Sequence, residues 1–239
     1  AYACMLLGKR CTVLMPANSS KTKQANIRTY GGVVQLIDTT TKSRALYTVD
    51  VLQDHPDAFY APPYDHYRVV AGNSTLGREI FEKFGADGLD YVICPIGGGG
   101  LISGLIMARD LLAPGVEIIG AEPLLGNDAA RSLRSGELQS LDAEPATMAD
   151  GTRTLSIGNL NWEIIREGLR RIVEVPEDLI AAGLRTLYSA ANLKVEPTGA
   201  LSVGAMLTQP EWFVGKRVCC VVSGGNVDTD VYVRVLEGQ

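Results

Sequence analysis

Short apolar runs alternate with longer polar or amphipathic segments along most of the chain. Apolar runs of about four to six residues that end in turn residues predict buried strands. The segments between them are long enough for helices, and strands joined through helices form parallel βαβ units. The sequence therefore predicts an α/β protein with open, mainly parallel sheets. The predicted strands are 11–15, 33–37, a short one starting at 59–60, 91–94, 116–121 and 217–222.

The helices follow from apolar periodicity and from the residues at their ends. Asn73 or Ser74 is a candidate N-cap for a helix whose apolar side chains, from Leu76 to Phe84, recur on one face. Pro114 ends another helix, because proline cannot continue the hydrogen-bonded turn. The predicted helices are 20–30, 41–52, one beginning near residue 74, 101–113, 162–168, 178–192 and 200–207.

A proline-rich, turn-prone segment at 61–66 divides the chain into two parts. We expect residues 1–66 to be the remainder of a small α/β domain and residues 67–239 to form a large one. Residue 1 is Ala, and the first seven residues resemble the end of a helix stopped by Gly8, without an N-cap or a first turn. This pattern leads us to expect an N-terminally truncated chain.

The charge and the cysteine content limit which binding partners and which cellular compartment are expected. The chain has 22 Lys and Arg against 27 Asp and Glu, a net charge of −5, so no basic surplus is present to neutralise a nucleic acid. The uncharged stretch 91–108 contains Pro95 and five glycines, which make a membrane-spanning helix a poor interpretation. The five cysteines show no Cys-x-x-Cys spacing and mostly lie in apolar runs. They favour buried thiols in a reducing compartment, the cytoplasm.

A glycine run follows the predicted strand 91–94 and precedes a predicted helix. In Pro95-Ile-Gly-Gly-Gly-Gly100 the glycines allow a sharp turn that points several N–H groups inward, and the helix adds the positive end of its dipole. The run contains neither a Walker A motif nor Gly-x-Gly-x-x-Gly. The two interpretations are a phosphate site and a tight turn packed against its neighbour.

Acidic residues follow the predicted strand 116–121. Glu122 and Asp128, with the carbonyl of Gly126 between them, offer oxygen ligands suited to a hard divalent cation such as Mg²⁺ or Ca²⁺. The alternative is a helix cap with a solvated charge.

Two further segments could line a ligand cleft. Ser223-Gly-Gly-Asn226 follows the last strand and would let a flat ligand approach the backbone, although a turn at the sheet edge has the same pattern. Glu196, before a proline, lies in a helix break that could equally be a capping box or a surface loop. The only histidines, His55 and His66, stand in polar turns typical of the surface. A phosphate cradle without a nucleotide motif or a histidine base indicates a phosphorylated cofactor.

Together these segments resemble the fold-type II pyridoxal phosphate enzymes, and among them the serine/threonine dehydratase and serine racemase group. The resemblance covers essentially the whole chain and implies two open α/β/α domains of the tryptophan synthase β-like kind. Individually the motifs are modest, but their order is specific. They are Pro95-Ile-Gly-Gly-Gly-Gly-Leu101, Ala121-Glu-Pro123, Ala149-Asp-Gly151, Val195-Glu-Pro-Thr-Gly199 and Ser223-Gly-Gly-Asn226.

The resemblance also implies roles for particular residues. Pyridoxal 5′-phosphate would be the cofactor, with its pyridine nitrogen at Ser223 and with Glu196 near the ring. Arg44 falls where some members meet a second substrate carboxylate. The phosphate would be held at Gly97, Gly98, Gly99, Gly100 and Leu101, with Asn226 a further cofactor-binding residue, and the divalent cation at Glu122, Gly126 and Asp128.

The implied activity is an ammonia-lyase reaction on a β-hydroxy amino acid such as serine, threonine or hydroxyaspartate, with racemisation as an alternative outcome and a homodimer as the expected assembly. Cysteine synthase-like β-replacement fits less well. The family's Schiff-base lysine, in a Ser-Phe-Lys-x-Arg-Gly context, does not occur in this sequence. We therefore expect the chain alone to be inactive, and a non-catalytic fragment that binds phosphate or cofactor is the second hypothesis.

Overall fold

The computed structural model describes residues 1–238, which divide into two compact units. The first unit comprises residues 1–61 and 226–232, and the second comprises residues 62–225 and 233–238. The strands are β1 (Thr12–Pro16), β2 (Val33–Ile37), β3 (Tyr91–Pro95), β4 (Glu117–Pro123), β5 (Arg171–Val175) and β6 (Val218–Cys220). The helices are α1 (Tyr2–Leu6), α2 (Lys21–Thr29), α3 (Arg44–Asp54), α4 (Tyr67–Phe84), α5 (Gly100–Leu112), α6 (Asp128–Ser135), α7 (Asn159–Gly168), α8 (Glu177–Ala191), α9 (Pro197–Thr208) and α10 (Thr229–Glu237).

The first unit is built on a parallel pair of strands. β1 and β2 are in register from Thr12 opposite Val33 to Pro16 opposite Ile37. The N-terminus of α2 is capped from far along the chain, because the Asp228 carboxylate accepts hydrogen bonds from the Ser20 hydroxyl and from the backbone N–H groups of Lys21 and Thr22. Residues 226–232 therefore belong to this unit despite their position near the C-terminus.

The second unit is built on a four-stranded parallel sheet in the order β5-β4-β3-β6. Apolar side chains alternate between its two faces, as the pleat of a strand requires. Val92 and Ile118 pack on one face beneath α4, α5 and α7, whereas Ile93 and Ile119 pack on the other beneath α8 and α9. With both faces covered, all four strands end at a common edge, where parallel sheets bind ligands.

The parallel α/β arrangement predicted from the sequence is confirmed, with three corrections. No strand forms at 59–60. Helix α4 begins at Tyr67 rather than near residue 74, because the His66 imidazole accepts a hydrogen bond from the Arg68 N–H and caps the helix seven residues earlier. Strand β5 was not expected, since its charged residues mask the apolar alternation. None of the helices described in residues 1–238 is long and apolar enough to cross a membrane.

Candidate functional site

The glycine run and Ser223 leave the sheet side by side. β3 and β6 are parallel neighbours, paired from Tyr91 opposite Val218 to Ile93 opposite Cys220, and the Val221 N–H donates to the Ile93 carbonyl at 2.9 Å. The segments that follow these strands therefore start at the same edge, about 5 Å apart. The exposed Ser223 lies on one of them and the glycines on the other.

The glycine run forms a backbone cradle at the start of α5. Within residues 1–238, no acceptor takes a hydrogen bond from the backbone N–H groups of residues 97–101, although residues 98–100 are buried. Gly99 has φ +89°, a left-handed conformation that turns successive N–H groups inward. The N-terminus of the 13-residue α5 adds its partial positive charge. Such an arrangement can accept an anion, and a phosphate has the oxygens to meet several N–H donors at once.

Close packing explains why the cradle requires glycine. A Cβ added at Gly98 would lie 2.2 Å from the Tyr64 ring, and one at Gly99 would lie 2.9 Å from the Asn161 Cβ. A Cβ at Gly97 would lie 3.0 Å from the Gly151 carbonyl oxygen. Neighbouring atoms thus enclose the run from behind, as the tight-turn interpretation requires, and the phosphate interpretation stays a prediction.

Helix α9 contacts both the turn at 150–152 and the loop that carries Ser223. The Gly151 N–H donates to the Thr198 hydroxyl at 2.9 Å, which fastens the turn at Asp150–Thr152 to the start of α9. One residue further, a Cβ at Gly199 would lie 2.6 Å from the Gly224 carbonyl oxygen. The loop that carries Ser223 is therefore packed against α9 through main-chain atoms.

Glu196 lies beside this loop, and its role in a ligand cleft stays a prediction. It is the N-cap residue of α9 and is 9% exposed. Its backbone N–H donates to the Gly224 carbonyl at 3.1 Å, and its Oε1 would be 2.7 Å from a Cβ at Gly224. Glu196 therefore contacts the Ser223 loop directly.

Two of the predicted site residues belong to the first unit. Arg44 is the first residue of α3, following the N-cap Ser43. Asn226 accepts a hydrogen bond from the Asn26 side-chain amide at 3.0 Å. Their assignments to substrate and cofactor stay predictions.

The acidic residues after β4 are buried and hydrogen-bonded to backbone. Glu122 accepts from the N–H groups of Ala129 and Ala130, each at 2.9 Å, and so caps α6, while Asp128 accepts from the Ile157 N–H. Burial raises the pKa of Glu122 well above its usual value, and the Asp128 charge adds to the effect. Burial also raises the pKa of Asp128, to about 6. Residues 1–238 contain no group of three or more His, Cys, Asp or Glu side chains placed to hold a metal.

Tyr64 and Asn161 are the parts of the site that sequence reasoning missed. Tyr64 precedes α4 in a segment interpreted only as a crossover, and Asn161 is the third residue of α7. Neither stands in a motif, and their only sequence signal is an aromatic and an amide beside turn residues. The structure brings both against the glycine run.

The geometry of the strand-end edge agrees with the family to which the chain belongs. Residues 1–224 match the family of pyridoxal-phosphate dependent enzymes, and the protein is a member of it. The family members that the chain resembles are lyases and racemases.

Individual relatives are similar over nearly the whole chain. A beta-hydroxyaspartate dehydratase from Paracoccus denitrificans is 36% identical, covering 96% of this chain and 71% of the relative. An L-threo-3-hydroxyaspartate ammonia-lyase from Saccharomyces cerevisiae is 35% identical, covering 100% and 72%. The solved serine racemase from Dictyostelium discoideum has a TM-score of 0.83 at 33% identity, covering 95% and 72%. A solved threonine deaminase from T.th. has a TM-score of 0.85 at 36% identity, covering 95% and 73%.

The residues present fit the cofactor that the family implies. Its phosphate needs several N–H donors, and residues 97–101 supply N–H groups that no other described residue uses. Its ring nitrogen needs a polar partner within reach, and the Ser223 hydroxyl is exposed at the neighbouring strand end. A Cβ at Gly98 would displace the Tyr64 ring and deform the cradle, so the glycines are required by the site itself.

Proposed function

We propose that the reaction to which this chain contributes is a pyridoxal phosphate-dependent ammonia-lyase reaction on a β-hydroxy amino acid such as hydroxyaspartate, serine or threonine. The observation that carries this proposal is the row of unpaired N–H groups at residues 97–101, which follow β3, the strand next to the one that leads to Ser223. When bound, the cofactor supplies an electron sink that weakens the bonds at the α-carbon of an amino acid.

The chain's own residues bind and orient that cofactor. The N–H groups of residues 97–101 hold the phosphate. The Ser223 hydroxyl hydrogen-bonds the pyridine nitrogen, and because a hydroxyl is not a carboxylate it leaves that nitrogen unprotonated. Glu196 keeps the Ser223 loop in place through Gly224. Asn226, in the same sequence motif, is assigned to the cofactor from the sequence.

The names of the relatives support hydroxyaspartate as the first substrate to test. Arg44 is assigned to the second carboxylate of such a substrate from the sequence. The similarity to serine racemases favours racemisation as the second candidate, in which the α-proton returns to the opposite face instead of the β-hydroxyl leaving.

We also propose that residues 1–239 bind the cofactor without completing the reaction. Lysines such as Lys21, Lys23, Lys194 and Lys216 do not stand in the family's Schiff-base context. A stable phosphopyridoxyl amino acid, in which substrate and cofactor are already joined by a reduced bond, therefore tests binding without requiring a lysine.

Calorimetric titration of the chain with phosphopyridoxyl-hydroxyaspartate, phosphopyridoxyl-serine and phosphopyridoxyl-threonine tests the function. We expect binding, tightest for the hydroxyaspartate adduct, and about a fivefold weaker affinity in Ser223→Ala. Ser140→Ala, at an exposed serine, is the matched control. Arg44→Gln should weaken the hydroxyaspartate adduct alone. Absence of binding by all three adducts would overturn the function, and keto acid release from free hydroxyaspartate would overturn the proposed inactivity.

A divalent cation at Glu122, Asp128 and the Gly126 carbonyl is a separate proposal. Two buried carboxylates of like charge support it, because a cation would relieve the cost of their ionisation. Thermal melting with and without Mg²⁺ or Ca²⁺ is the test. We expect a higher melting temperature with the cation in the unsubstituted chain and no rise in Asp128→Asn; equal rises in both would contradict the site.

The compartment and assembly are also proposed. Within residues 1–238 all five cysteines are free thiols, which supports a reducing, cytoplasmic environment. A homodimer follows from the resemblance. Thiol titration of freshly isolated protein and sedimentation equilibrium test these two points.

A further inference from the structure

Asn161 is a fully buried amide directly behind the glycine run. It lies in the first turn of α7 and has no exposed surface. Its side-chain Nδ2 donates to the Gly98 carbonyl at 2.8 Å and to the Tyr64 carbonyl at 3.2 Å. Two carbonyl acceptors fix the orientation of the amide, because the reversed orientation would place Oδ1 against both oxygens. In the chosen orientation Oδ1 is buried and has no partner among the described residues.

Two donors hold the Gly98 carbonyl, one within α7 and one at its N-cap. The Gly158 N–H also donates to it, at 3.1 Å. A trans peptide is planar, with its C=O and N–H pointing to opposite sides. Because α7 holds the Gly98 carbonyl, the Gly99 N–H of the same peptide points away from α7, to the side where no protein acceptor meets it. Hydrogen bonds to a carbonyl also polarise its amide and make the N–H a stronger donor.

We infer that Asn161 is a positioning residue for the cofactor phosphate. It does not touch the ligand; it fixes and polarises the Gly98–Gly99 peptide so that the Gly99 N–H is aimed at the anion before binding. The inference deepens the proposed function and rests on the phosphate cradle described there. Its energetic basis is preorganisation, since a glycine-rich loop would otherwise lose conformational freedom on binding.

The test compares a phosphorylated probe with its phosphate-free counterpart. Pyridoxine 5′-phosphate and pyridoxine both lack the aldehyde, so neither requires a lysine. Titration calorimetry measures both affinities, and the ³¹P resonance of bound pyridoxine 5′-phosphate reports the hydrogen bonds at the phosphate. The variants are Asn161→Leu, which has a similar volume without donors, and Asn161→Asp, which keeps the shape. Asn159→Leu, two residues earlier on α7 and exposed, is the matched control.

We expect Asn161→Leu and Asn161→Asp to lower the affinity for pyridoxine 5′-phosphate about tenfold and to change its ³¹P shift. Their affinity for pyridoxine should change less than about twofold. The control Asn159→Leu should change less than about twofold in every measurement. Circular dichroism checks folding, and if the leucine variant does not fold, the aspartate variant decides. Unchanged phosphate affinity, or an equal loss for both probes, would overturn the positioning role while leaving the cradle intact. Failure of the unsubstituted chain to bind pyridoxine 5′-phosphate would overturn the cradle and the positioning role together.

Discussion

The Thr198 hydroxyl accepts a 2.9 Å hydrogen bond from the backbone N–H of Gly151, 47 residues earlier in the chain. Thr198 is 7% exposed whereas Gly151 lies at the surface, so the contact is a part-buried hydrogen bond. This one contact joins the turn that packs against Gly97 to the helix that packs against Gly224. The turn at 150–152 and the loop that carries Ser223, which line the candidate site, are therefore linked through α9.

We expect Thr198→Val to lower the free energy of unfolding by about 1 kcal/mol, because valine keeps the shape but removes the hydroxyl that accepts the Gly151 N–H. Thr198→Ser should recover most of the loss. Thr208→Val is the control, since among residues 1–238 the Thr208 hydroxyl bonds only to the Gly204 carbonyl within its own helix. Urea denaturation measures all three, and equal losses for Thr198→Val and Thr208→Val would contradict the role of this contact.

Gly98→Ala should damage both stability and cofactor binding. Its Cβ would lie 2.2–2.4 Å from three carbons of the Tyr64 ring. We expect a loss of about 1–3 kcal/mol in the free energy of unfolding, because the Tyr64 ring or the glycine loop must move. We also expect weaker binding of pyridoxine 5′-phosphate. The control is Gly72→Ala, within α4, where nothing lies within 4 Å of the new Cβ. That change should stabilise the protein by about 0.5–1 kcal/mol through helix propensity. Comparable destabilisation by both would refute the steric argument.

Asp228 makes the stability of the first unit depend on pH. Partial burial raises the pKa of Asp228, but hydrogen bonds from Thr22, Ser20 and Lys21 outweigh burial and hold this pKa well below its ordinary value. A carboxyl with a depressed pKa in the folded protein contributes stability above its unfolded-state pKa of about 4, and this contribution is lost as the pH falls further.

We therefore expect Asp228→Asn to cost about 1 kcal/mol at pH 7, the size of a helix N-cap. The difference from the unsubstituted chain should shrink as the pH falls below about 4. Thermal melting across this range measures the effect, with Asp57→Asn, at an exposed aspartate of the same unit, as control. A constant difference at all pH values would show that Asp228 does not act through its charge.

Arg171, the first residue of β5, lies at the end of the sheet opposite the candidate site. Its replacement by lysine should destabilise the protein. Its guanidinium makes two hydrogen bonds to Glu117, at 2.8 and 2.7 Å, and lies 4.9 Å from the Trp212 ring centroid. Lysine can reproduce neither the paired geometry nor the stacking. We expect Arg171→Lys to lower the melting temperature, equivalent to about 1 kcal/mol, and Arg170→Lys, at the exposed neighbour, to change little. Equal melting temperatures for the two variants would contradict this role.

Strands whose apolar residues are contiguous in the sequence could be predicted from local patterns. The run 33–37 folds as β2 with the predicted bounds, and the strand at 91–94 is extended only by Pro95. Strand β5 could not be recognised in this way, because Arg171 and Glu174 interrupt its apolar pattern. Arg171 pairs with Glu117, and Glu174 pairs with Arg134. These partners are far away in the sequence, and only the folded protein brings them near.

The same distinction between local and long-range information applies to the candidate site. The glycine run and Ser223 could be proposed from the sequence, because a glycine-rich turn after an apolar strand is visible as a pattern of adjacent residues. Asn161 was not, since its partner Gly98 is 63 residues away and a buried amide in a helix has no distinctive local pattern. The acidic residues were interpreted as a cation site or a helix cap, and the structure shows that Glu122 does cap α6.

Residues 97–101 would meet an anion with backbone amide groups, which neither gain nor lose a proton between mildly acidic and mildly alkaline solution. The charge of these groups is therefore constant over that range. A phosphate ester held by them would change its affinity with its own second ionisation, at about pH 6, so the ligand and not these residues would set the pH at which it is released.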